Sequence, residues 1–190
     1  MRTALQFLTI NMKVLTLLLA LSVSAAAADN IPSPDGAYVL EIGKSARIVD
    51  HSHATVLTVV PNVQGVREVA AQWSADSHRV VLVLNYDRGA GVYAAYLEGG
   101  TWKRTIEQDS DFPSADLARQ AGVSGFVVSD KRMIVGWAAP DRVNMRGEAT
   151  YKGAHHVGYA YTLVFTGGPT NLSRGGYEDG AIKGIDFHVR

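Results

Sequence analysis

From residue 36 to residue 107 the chain is a succession of short segments rich in β-branched and aromatic residues, each broken off by a turn, and no helical periodicity runs through it. The pattern restricts this region to antiparallel strands joined by tight connections. Segments 38–42, 46–49 and 55–60 are the first three strands, divided by Gly43-Lys44 and Asp50-His51-Ser52-His53 and ended by Pro61-Asn62. Segments 68–73, 80–85, 92–97 and 101–106 are the next four, with turns at Ala75-Asp76-Ser77, Asp87-Arg88-Gly89 and Gly99-Gly100. The run Val80-Val81-Leu82-Val83-Leu84 has no polar alternation, so both of its faces are expected to be covered.

One helix interrupts the series at 114–120, with Pro113 ahead of it and Gly122 at the C-cap position. Strands resume at 125–128 and 133–138. Two long alternating segments follow: Val143, Met145, Ala149 and Tyr151 share one face of the first, and Val157, Tyr159, Tyr161, Leu163 and Phe165 share one face of the second. With Gly153-Ala154-His155 between them they read as a long hairpin with an apolar and a wet face. Residues 167–180 are turn-rich, and 182–189 reads as a closing strand. The expected fold class is all-β, mainly antiparallel, with one short helix, arranged either as propeller-like blades or as a β-sandwich or barrel.

The chain opens differently. Met12-Lys13 leads into the apolar run 14–23 and then into small residues up to Ala28, the layout of a secretory signal peptide cleaved before Asp29. Met12 is the expected true start. The apolar run is about half the roughly 20 residues that a membrane-crossing helix needs, so cleavage is expected rather than retention. Residues 29–190 then form one domain of 162 residues, long enough for a core of its own. Without the leader the chain carries 16 Lys and Arg against 18 Asp and Glu, a balance that gives no electrostatic case for nucleic acid or an anionic membrane as partner. It has no Cys, hence neither a disulfide framework nor a lipid-modified cysteine. The expected location is periplasmic or secreted.

Three segments share a Ser, an acidic residue at a turn and a following strand: Ser33-Pro34-Asp35-Gly36, Ser74-Ala75-Asp76-Ser77 and Ser129-Asp130-Lys131-Arg132. The first two lie 41 residues apart and the next interval is 54, so that the helical insertion accounts for the excess. The first spacing matches the roughly 40 to 45 residues of one four-stranded propeller blade. Ser33-Pro34-Asp35-Gly36 and Trp73-Ser74-Ala75-Asp76-Ser77 resemble the turn of the TolB-type, WD-repeat-like propeller module. The resemblance covers 32–107 and implies a propeller-like fold with protein or cell-envelope partners. It implies no reaction.

Candidate chemistry is sparse. His51 and His53, two residues apart, would project to one face of an extended segment about 6 to 7 Å apart and offer two metal ligands, with Asp50, His78, His155 or His156 to complete the set. Asp109-Ser110-Asp111 after Glu107 supplies alternating oxygens without the Gly and terminal Glu of a calcium loop. No nucleophile elbow, catalytic cysteine or phosphate loop is present, so no catalytic residue and no cofactor are assigned. Trp102, beside Lys103 and Arg104 after a Gly-Gly turn, is the aromatic expected at the surface, and Trp102 with Arg104 is the expected ligand-binding pair. The function expected is an exported, non-catalytic binding or scaffold module. The alternative is an envelope hydrolase or metal-dependent enzyme using His51, His53 and loop carboxylates.

Overall fold

The computed structural model describes residues 29–106 and 114–165 and the backbone of 182–189. The proposed leader at 12–28, the acidic turn at 109–111, Pro113 and the turn-rich stretch 167–180 lie outside the described residues. Twelve strands form three open four-stranded antiparallel sheets, each from strands consecutive in the chain. The first sheet is β1 (Asp29–Pro32), β2 (Tyr38–Ile42), β3 (Ala46–Asp50) and β4 (Thr55–Val60). The second is β5 (Glu68–Trp73), β6 (Arg79–Asn85), β7 (Ala90–Glu98) and β8 (Thr101–Ile106). After helix α1 (Ser114–Ala121) comes the third: β9 (Val127–Ala139), β10 (Arg142–Tyr151), β11 (His155–Phe165) and β12 (Ile182–Val189). The all-β class and the single short helix are as the turn spacing and periodicity indicate.

Two cores separate the three sheets. Leu40, Ile42, Ala46, Ile48, Val59 and Val60 of the first sheet pack on Val80, Leu82, Leu84, Trp73 and Trp102 of the second. On the other face of the second sheet, Val81, Val83, Val92, Ala94 and Tyr96 meet Val143, Met145, Tyr159, Tyr161 and Leu163 of the third, with Leu117 and Ala118 of α1. The unbroken apolar run of β6 is therefore explained: alternate side chains enter different cores. Each buried Val or Leu there contributes about 1.5–3 kcal/mol from removal of its side chain from water.

Helix α1 ends where Gly122 takes a positive φ of 67°, and it is tied to the third sheet by the Tyr151 hydroxyl, which donates to the Ser114 carbonyl at 2.6 Å. The 142–165 hairpin forms as expected, and its register sets Val143 opposite Leu163 and Ala149 opposite Val157.

Two elements depart from the sequence expectation. The four-residue β1, which ends on a proline, pairs with β2 from Asp29 opposite Ile42 to Pro32 opposite Val39; as an edge strand it tolerates the missing N–H. In the third sheet, the expected turn at Ser129-Asp130-Lys131-Arg132 is instead the middle of one continuous strand, β9. Asp130 and Arg132 point inward from it and neutralise each other, which lets a charged stretch run through the sheet.

Candidate functional site

The turn shared by the first two sheets is the most regular local structure of the chain. In the first copy the Ser33 hydroxyl donates to Asp35 Oδ1 at 2.6 Å and accepts the Tyr38 N–H at 3.0 Å, while Asp35 Oδ1 accepts the Ala37 N–H at 3.0 Å. Forty-one residues on, Ser74 donates to Asp76 at 2.5 Å and accepts the Arg79 N–H at 3.0 Å, and Asp76 accepts the His78 N–H at 3.0 Å. Gly36 and Ser77 occupy the same place with φ of 73° and 61°. The two turns touch: Asp35 N–H donates to Ser77 Oγ at 3.1 Å, and Trp73 Nε1–H donates to the Ile31 carbonyl at 2.9 Å. Ser74, Ala75 and Asp76 then share a cleft of about 200 Å³ with Trp137 and Pro140, so the first connections of the second and third sheets are neighbours too.

Hydrogen bonds set the charge of these turns. The Ser33 hydroxyl, the Ala37 N–H and Ser77 hold Asp35 below the usual aspartate range. At Asp76 burial pushes upward, but the Ser74 hydroxyl, the His78 N–H and Arg79 outweigh it and the carboxyl is also lowered.

His51 and His53 are placed differently from the extended geometry their spacing offered. They sit in an exposed turn wound around Asp50, whose Oδ1 accepts the N–H groups of Ser52 and Ala54 at 2.8 and 3.1 Å, and His53 has φ of 60°. His53 Nδ1 lies 3.4 Å from Glu41 Oε1, while Arg47 holds the same carboxylate at 2.7 Å. Among the described residues no group of three or more His, Asp or Glu side chains is placed to share a metal ion. An open cleft of about 400 Å³ lies beside this cluster, lined by Asn30, Glu41, Gly43, Lys44, Ser45 and Arg47.

Trp102 is not at the surface: only 7% of it is exposed, and its ring stands edge-on to Tyr38 at 5.1 Å and Trp73 at 5.8 Å in the core between the first two sheets. Strand alternation is the reason. Lys103 faces Glu98, with Nζ 2.7 Å from Oε2, and its two neighbours turn to the other side. Arg104 reaches the Thr58 carbonyl at 2.8 Å, so the pair fastens the second sheet to the first.

A charged network that sequence reasoning missed lies between the second and third sheets. Arg132 Nε donates to Asp130 Oδ2 at 2.7 Å with both side chains buried, and the Tyr159 hydroxyl donates to Asp130 Oδ1. Burial pushes the Asp130 carboxyl upward against the opposing pull of Arg132 and Tyr159, and it pushes the Tyr159 phenol far up as well. Asn85, the last residue of β6, exchanges two hydrogen bonds with the Arg132 backbone, each at 2.9 Å. The i, i+2 spacing of Asp130 and Arg132 was the available signal, since it puts both on one face of a strand.

The exposed side of β9 and the residue just ahead of it have the opposite character. Among the described residues five large apolar side chains are exposed, and four are here: Phe126 at 63%, Met133 at 53%, Val135 and Val128. Met133 faces Arg146 across the β9–β10 ladder and Lys131 faces Glu148, whose carboxylate lies 3.0 Å from His156 Nδ1. Lys152 Nζ stands 5.7 Å over the Phe126 ring, and its N–H donates to the Phe126 carbonyl at 3.0 Å. Exposed apolar side chains on β9, with Phe126 just ahead of it, thus lie beside exposed Arg142, Arg146 and Lys152 on or just past the next strand. No helix among the described residues is long and apolar enough to cross a membrane. No protein-family model matches the chain, and no characterised protein matches it in sequence.

Proposed function

We propose that the chain is an exported binding or scaffold module of the cell envelope or exterior, acting by contact with a protein or envelope component and not by catalysing a reaction. The observation that carries this reading is the group of exposed apolar side chains on and just ahead of β9: Phe126, Val128, Met133 and Val135, with the exposed Lys131 among them. Exposed apolar side chains gathered beside charged ones mark an interaction surface, and Phe, Met and Arg are the residue types enriched in interface cores. A leader at residues 12–28 supplies the export, and the mature chain begins at Asp29. The TolB-like reading draws support from the turn repeated at 41 residues and from three successive four-stranded sheets.

A photo-crosslinking amino acid placed in the exported chain tests the surface. In place of Val135 it is expected to give a discrete adduct in the producing cells; in place of Thr101, an exposed residue of the second sheet, it gives none. Adducts of equal yield at both positions, or at neither, overturn the proposal.

A further inference from the structure

Trp73 and Trp137 hold corresponding places in the fold. Each stands near the end of the first strand of its sheet, β5 or β9, and turns toward the preceding sheet. At the first junction the Trp73 indole N–H donates to the carbonyl of Ile31, the last but one residue of β1. At the second junction the Trp137 indole N–H is buried and has no hydrogen-bond partner among the described residues. Gln72, the last but one residue of β5, shares a strand face with Ala70, which packs against the core between the second and third sheets. Its Oε1 is likewise buried without a partner among the described residues. A donor and an acceptor are thus left unsatisfied between the same two sheets, although buried polar atoms are nearly always paired. The cleft of about 200 Å³ opens at this junction, between the connection Ser74-Ala75-Asp76 on one side and Trp137 with Pro140 on the other. Phe165, stacked on the indole at 5.6 Å, holds the ring in place.

We propose that this cleft binds one ring of a neutral saccharide, whose hydroxyls accept from the Trp137 indole N–H and donate to Gln72 Oε1. A hydroxyl both donates and accepts, so a single kind of ligand group answers both orphaned atoms. Charge narrows the class further. The Asp76 carboxylate at the rim disfavours an anion, and because Arg79 already pairs with it at 3.2 Å a cation meets a charge that is balanced. The small apolar lining of Ala75, Ala138, Ala139 and Pro140 suits the C–H faces of a sugar ring. The cleft is smaller than the roughly 300–1,000 Å³ of sites for drug-sized molecules, which suits a single ring rather than a chain. It uses the inward side of β9, not the exposed side chains on which the binding reading above rests, so either can fail without the other.

Nuclear magnetic resonance on the full chain, isotope-labelled at nitrogen, tests this through its three indole N–H resonances, one for each tryptophan. Trp137→Phe and Trp102→Phe assign two of them by loss. Methyl glucoside, methyl galactoside, methyl mannoside and N-acetylglucosamine are titrated in turn. At least one is expected to move the Trp137 resonance and to leave that of Trp102, an indole also without a hydrogen-bond partner among the described residues but buried in the core between the first two sheets. Gln72→Met, which keeps the side-chain length and removes the acceptor, is expected to weaken that sugar about tenfold, the weight of one neutral hydrogen bond. Trp102→Phe, which perturbs the other core, is expected to leave its affinity unchanged. The proposal is overturned if no sugar moves the Trp137 resonance, if glycerol at the same concentration moves it as far, if Gln72→Met binds as the unsubstituted chain does, or if Trp102→Phe weakens binding equally.

Discussion

Gly147 shows how far one side chain can dictate another position. A Cβ at this residue would lie 2.1 Å from Cζ of Tyr159, so the glycine is where the phenol passes on its way to Asp130. Gly147→Ala is expected to displace the ring, strip Asp130 of one donor and cost about 2–4 kcal/mol, since a buried charge loses a hydrogen bond and the core is overpacked. Urea unfolding followed by tyrosine and tryptophan fluorescence measures it, and a loss below about 0.5 kcal/mol would show that the ring moves aside freely. Beyond the i, i+2 spacing of Asp130 and Arg132, none of this was legible in sequence. Asp130 and Arg132 in a row of four polar residues have the composition of a turn, and only the partners brought by Tyr159 and Asn85 make them strand residues. Trp102 misled for a related reason: the charged Lys103 and Arg104 beside it described the strand's other face and a reach toward β4, not the surroundings of the indole.

The elements themselves were far more legible, because period and turn chemistry are local properties. The 142–165 hairpin, the helix and most strands of the first two sheets follow from them, whereas β1 and the continuity of β9 depend on partners distant in sequence. The repeated Ser-Asp turns carry a pH dependence with a definite sign. Asp35 and Asp76 have folded pKa values below their ordinary 3.8, so their contribution is present above 3.8 and is lost as pH falls through the lowered values. Asp130 has the opposite sign: its value is raised, so its contribution is complete below 3.8 and is lost as pH rises through the raised value. The two windows adjoin at 3.8 without overlapping. The urea midpoint is therefore expected to fall as pH drops below 3.8, and to fall less in the Asp35→Asn, Asp76→Asn double variant, whose amide oxygens retain acceptors for the turn N–H groups. Equal slopes in the two proteins would remove the turns from the acid response.

Across the whole molecule, β6 is the shared wall of two cores, with Val80, Leu82 and Leu84 on one side and Val81 and Val83 on the other. A wall that serves two rooms couples them. Leu84→Ala, which touches only the first core, is expected to cost about 2–5 kcal/mol and still leave one unfolding transition. Tryptophan fluorescence, with Trp73 and Trp102 in the first core and Trp137 against the second, is expected to coincide with the loss of far-ultraviolet circular dichroism. Two separated transitions would show that the cores melt independently.

The two turns 41 residues apart also differ in what each does for the other. Gly36 adopts its left-handed backbone freely, while Ser77 adopts the same backbone against the preference of its Cβ and uses its hydroxyl to receive the Asp35 N–H. The later turn lacks the conformational ease of the earlier one and holds it by a hydrogen bond. Exchanging the two segments would leave a glycine, with no hydroxyl, where the neighbouring turn needs an acceptor. Alike as they are in geometry, the two turns are not spare parts for each other: the second is fitted to the first, and the order of the pair matters.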